Sequence, residues 1–69
     1  MFEFKTRLKE LRKAKKMSQK HISSSIGVSN TQYQRYEYGE QEPTLKILVS
    51  LADFFDVSLD YLVGRTDTK

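Results

Sequence analysis

A chain of 69 residues makes one domain whose small core only narrowly outweighs the conformational entropy lost on folding. The absence of cysteine excludes disulfides, thiolate metal sites and thiol chemistry, and the apolar runs are too short to span a bilayer. The net charge of +3 is uneven: residues 1–20 hold eight Lys/Arg against Glu3 and Glu10, a balance of +6, whereas residues 21–69 hold four against seven acids, a balance of −3.

Phe4, Leu8, Leu11 and Ala14 recur at helical spacing with charges between them, which predicts an amphipathic helix from about residue 4 to about 16. Ser18 is placed to cap the next helix, its hydroxyl accepting from a free amide one turn on. Ile22 and Ile26, four apart, mark that second helix as short, and Gly27 ends it. The poor helix propensity of Ser23-Ser24-Ser25 also fits a loop, but the two isoleucines and the glycine fit a helix and its stop.

Ser29 caps a third helix whose one inward face is Tyr33 and Tyr36 and which Gly39 stops. A polar loop, Gly39-Glu40-Gln41-Glu42-Pro43, leads to Thr44 as the cap of a fourth helix, with Pro43 discouraging an earlier start. Leu45, Leu48, Val49, Ala52 and Phe55 are expected to form its core face. Ser58 caps a last turn containing Leu59 and Leu62, Gly64 closes it, and residues 65–69 are expected to fray as a linker stub or simple tail. Outside the helical stripes only Val57 and Val63 hint at β-branching, so the fold class is all-α with five short helices.

The informative stretch runs from Ser18 to Gly39: two short helices joined by a tight turn, a geometry that holds the second helix proud of the surface. Ser23, one residue after Ile22, is small enough to sit where the two helices meet. Met17-Ser18-Gln19, Ile26-Gly27-Val28-Ser29, Tyr36-Glu37, Gly39, Pro43-Thr44-Leu45 and Val57-Ser58-Leu59-Asp60-Tyr61-Leu62 fall in order along the chain. Together they resemble the Cro/repressor-type helix-turn-helix family, which includes the lambdoid phage repressors, over roughly residues 4–64.

The resemblance implies that residues 1–64 form a five-helix DNA-binding domain whose third helix enters the major groove of duplex DNA. With Tyr33 and Tyr36 inward, Asn30, Thr31, Gln34 and Arg35 share the outward face and Gln32 lies at its flank. Arg can fork onto guanine, Asn and Gln onto adenine, and a Thr methyl can meet that of thymine. Gln19, with the Ser18 cap beside it, matches a phosphate-binding position at a helix N-terminus. Tyr38 and the backbone after Gly39 match a second phosphate clamp, but Glu40 and Glu42 depart from the pattern and leave backbone amides or Lys46 to serve there. Arg12 and Glu37 match a pair that ties the first helix to the recognition helix. The basic first third fits a polyanionic partner too, although a solvated helix face accounts for it equally well.

Ile47 and Phe54, seven apart on the fourth helix, fall off the expected core face. They either dock beneath Phe2, the favoured reading, or join Leu59, Tyr61 and Val63 as candidates for a dimer seam. Catalysis is not expected. His21 is the single histidine, no base is positioned for the serines, the three glycines are isolated, and so small a fold offers little concave volume. No cofactor, metal, small-molecule ligand or membrane is implied, and without a secretory signal the cytoplasm is the simplest location. The function expected is that of a transcriptional regulator, a repressor binding a palindromic operator as a homodimer. The alternatives are an antitoxin-like or adaptor module on the same scaffold, or the DNA-binding part of a longer repressor.

Overall fold

The computed structural model describes residues 3–69. Five helices follow one another: α1 (Phe4–Ala14), α2 (Gln19–Ile26), α3 (Asn30–Tyr38), α4 (Leu45–Phe55) and α5 (Leu59–Leu62), with no strand among the described residues. Four of the starts are set locally by a hydroxyl. Ser18, Ser29, Thr44 and Ser58 accept from the backbone N–H of His21, Gln32, Ile47 and Tyr61, each three residues on. Gly27 and Gly39 end α2 and α3 at φ +79° and +77°, conformations that a side chain would strain.

The helices pack around Phe4, Leu8, Leu11, Ile22, Tyr33, Tyr36, Leu51, Ala52, Phe55 and Leu62. Ser23 is buried next to Ile22 on the inner side of α2, its hydroxyl donating to the Lys20 carbonyl. α1 rests on α3 and α5, and α4 rests on α2 and α5, so α3 is supported from α1 and α2 and leaves one side uncovered.

Three expectations are corrected. Ala14 is exposed as the last residue of α1, one turn past Leu11, the last core residue of that helix. On α4 the buried line is Leu51, Ala52 and Phe55 with Leu48 partly buried beside it, so Leu45 and Val49 fall on its rim at 70% and 39% exposure. Ile47 and Phe54 occupy the other rim, where they pack against the core. The Phe54 ring lies 5.1 Å from Phe55 and 6.1 Å from His21 of α2. The docking expected beneath Phe2 lies outside the described residues.

The third correction concerns residues 65–69, which turn back onto α1 instead of fraying. Arg7 is 9% exposed; its guanidinium donates to the carbonyls of Tyr61 (2.9 Å) and Thr66 (2.7 Å) and to Asp67 (2.6 Å), and it lies 4.2 Å from the Tyr61 ring centre. The Ser58 N–H adds a bond to the Lys69 carbonyl at 3.1 Å. Asp67 is almost fully open to water, so the ion pair itself contributes little; the Thr66 carbonyl holds the segment and the Tyr61 carbonyl ties α5 to α1. Arg7→Met keeps an apolar stem but removes those bonds, and it should cost about 1–3 kcal/mol by urea denaturation. A change under about 0.5 kcal/mol, the size of an ordinary surface substitution, would contradict this assignment.

Candidate nucleic-acid interface

Tyr33, Tyr36 and Glu37 turn one side of α3 into the protein, and helical geometry then puts Thr31, Arg35 and Tyr38 on the opposite side. Asn30, Thr31 and Arg35 are exposed, and Tyr38 is 58% exposed at the far end. Gln32 and Gln34 are half-buried at the two flanks. Gln32 donates to the Tyr36 hydroxyl at 2.6 Å, and Gln34 donates to the Gln19 carbonyl oxygen at 3.3 Å. The side expected to face DNA is therefore open to solvent along its middle and braced along its edges.

The brace centres on Glu37, whose side chain is 1% exposed. Its Oε2 accepts from Arg12 Nε at 2.7 Å and from the Tyr33 hydroxyl at 2.6 Å. Its Oε1 accepts from the other end of the Arg12 fork at 3.1 Å and from Gln19 Nε2 at 3.0 Å. Burial alone would raise this carboxyl, but the bonds from Arg12, Tyr33 and Gln19 outweigh it and hold the group below the usual carboxylate range. The same contact raises Arg12, while burial and then the neighbouring carboxylate push the Tyr33 hydroxyl well up. One acid thus joins α1, α2 and α3 while remaining ionised. No buried side-chain nitrogen or oxygen among the described residues lacks a partner.

Around this frame lie the other expected positions. Ser18 caps α2 from an exposed site, Gln19 is half-buried with its amide engaged on both sides, and Lys46 is exposed on α4. Of the candidate seam residues, Ile47, Phe54 and Tyr61 are packed on the core and Val63 is half-buried, while Leu59 is 37% exposed. The exposed apolar residues Leu45 and Val49 escaped sequence reasoning because they fit an alternative core phase.

A basic groove was missed as well. Lys5, Lys9 and Lys13, four apart on α1, line it with Thr6, Glu10 and Tyr38 beside the end of α3. The Lys5 side chain lies so close to Gly39 that a Cβ there would stand 2.7 Å from Lys5 Cδ. The four-residue spacing within the basic first third was the signal that could have found it.

The family model described as Helix-turn-helix matches residues 8–62, most of the chain. The chain belongs to this family, in its Cro/repressor-type branch. Within the family, the HTH-type transcriptional regulator YqaE of Bacillus subtilis is 40% identical over 67 residues, spanning 96% of this chain and 58% of that protein. The cryptic phage CTXphi transcriptional repressor RstR of Vibrio cholerae is 42% identical over 66 residues, spanning 96% of this chain and 59% of RstR. This chain therefore spans a little under three fifths of the length of these two relatives. Among solved structures, the P22 c2 repressor in complex with synthetic operator 9T superposes with a TM-score of 0.85 at 30% identity, over 91% of this chain and 96% of that one. The five-helix fold is thus that of the P22 c2 repressor-like DNA-binding domain. No described helix is long and apolar enough to cross a membrane.

Proposed function

We propose that this domain binds duplex DNA sequence-specifically as a transcriptional repressor, with α3 in the major groove. The observation that carries the reading is the open polar side of α3: Asn30, Thr31 and Arg35 face solvent while Tyr33, Tyr36 and Glu37 anchor the helix from behind. Arg35 is the guanine reader, Asn30 pairs with adenine, and the Thr31 methyl meets thymine. Phosphates on one flank meet the backbone amides at the Ser18 end of α2. On the other they meet Tyr38, Lys46 and the groove of Lys5, Lys9 and Lys13.

Two copies bind a palindromic operator, each reading a half-site about one helical turn from the next. One recognition helix makes too few contacts for tight binding, so the pair gains affinity by engaging both half-sites together. Leu45, Val49 and Leu59, the exposed apolar residues of α4 and α5, are assigned to the contact between copies. Of the residues on which the adaptor alternative relied, Ile47 and Phe54 pack against the core, while Leu59 of the C-terminal helix stays exposed.

Selecting bound duplexes from a random library, then titrating the winner and a scrambled duplex across a salt series, tests the reading. Affinity should fall steeply with salt for both, with the winner held about 1,000-fold tighter or more. Replacing Lys5, Lys9 and Lys13 by Ala should weaken both duplexes alike and reduce the log–log salt slope by about 1 per lysine. A flat salt response with no preferred sequence would overturn the proposal.

A further inference from the structure

The hydrogen bonds behind α3 have a direction. The carboxylate of Glu37, ionised and sealed from solvent, can only accept. Gln19 must therefore turn its NH2 group inward, where it stands 3.0 Å from Glu37 Oε1. Flipping that amide would set carbonyl oxygen against carboxylate oxygen at the same distance. With its nitrogen committed, Gln19 presents its carbonyl oxygen to α3, and Gln34 donates to it at 3.3 Å. The polarity propagates outward, so the Gln34 NH2 points back toward Gln19 on α2 and its carbonyl oxygen is left to point away from it. Gln34 stands one helical turn beyond Asn30 and next to Arg35, at the edge of the open side.

We infer that Glu37, acting through Gln19, fixes the amide of Gln34 so that its carbonyl oxygen leads into the DNA groove. Gln34 is then an acceptor-first reader. The base it faces must offer an amino group, N6–H of adenine or N4–H of cytosine; guanine and thymine present acceptors at the corresponding place. Gln19 is a positioning residue in this scheme, in contrast to the phosphate contact implied by its place in the family pattern. The inference rests on the major-groove reading of α3 and adds which bases one of its side chains selects.

The test uses the duplex selected above, varied one base pair at a time, with binding measured as ratios between duplexes. Gln34→Met should erase the preference at one base pair, where the wild type favours adenine or cytosine about 10-fold, and so identifies that pair. Gln19→Ala should relax the same base pair severalfold and leave discrimination elsewhere unchanged. Gln19→Lys keeps a donor for Glu37 but loses the acceptor for Gln34; it should relax that pair too, whatever its added charge does to overall affinity. Thermal melting of each variant shows that it is folded.

Uniform weakening by Gln19→Ala, with the Gln34 preference intact, would overturn the inference. So would a Gln34→Met variant that keeps every wild-type preference, or a preferred guanine or thymine at that position. A wild-type protein with no preferred sequence would instead defeat the major-groove reading itself.

Discussion

Glu37→Ala should destabilise the domain by about 3 kcal/mol or more, the low end for removing one partner of a buried ion pair, since the Arg12 side chain is 17% exposed. The substitution leaves a guanidinium, a tyrosine hydroxyl and the Gln19 amide without the acceptor they share. A domain of this size has a total stability of roughly 3–10 kcal/mol. Such a loss is a large share of it, equivalent to a fall in Tm of roughly 10–25 °C. Urea denaturation at neutral pH measures it, and a loss below about 1 kcal/mol would show that Glu37 is not the anchor of α3. Acid offers an independent arm of the same test. Because folding lowers the Glu37 carboxyl, its stabilising contribution is present above the ordinary value of 4.5 and is lost as pH falls toward the folded-state value. The wild type should therefore lose Tm below about pH 4.5 more steeply than Glu37→Gln, which has no carboxylate to protonate.

Arg35→Ala should leave stability nearly unchanged and remove discrimination at one base pair, by about 1–3 kcal/mol, or roughly 5- to 150-fold. The side chain is exposed on the open side of α3, so its removal opens no cavity. The base-reading role predicts relaxed preference at a guanine, read by competition among duplexes that differ at single positions. An equal loss on every duplex would reduce Arg35 to a phosphate contact. Together with the Glu37 result, this separates the part of α3 that is held from the part that reads.

The features legible in the sequence were those decided within a few residues. Ser18, Ser29, Thr44 and Ser58 each start a helix with a bond three residues away, so the hydroxyl and the following apolar pattern sufficed to place them. Tyr33 and Tyr36 fixed the inward side of α3 because the rest of that helix is polar or charged apart from Tyr38. On α4 the same reasoning chose the wrong phase. Eight of the eleven residues in LKILVSLADFF are apolar, so more than one stripe satisfies helical spacing. Packing against α2 and α5 decides among them, burying Leu51 and leaving Leu45 out.

What remained hidden was long-range and polar. Arg7 looked like one more cation of a basic helix, yet its partners lie 54 to 60 residues away. The pairing of Arg12 with Glu37 came from the family pattern, since neither residue type nor spacing selects it from the other charges. That Gln19 also contacts Glu37 depends on the angle at which α2 crosses α3, which no local pattern encodes.

Backbone amide shifts, followed by NMR while the selected duplex is titrated into the protein, test the central assignment most directly. The largest changes should map to Asn30–Arg35, with smaller ones at Ser18, Gln19 and the Lys5–Lys13 side of α1. Changes confined to α4 and α5, with α3 unmoved at saturation, would contradict it.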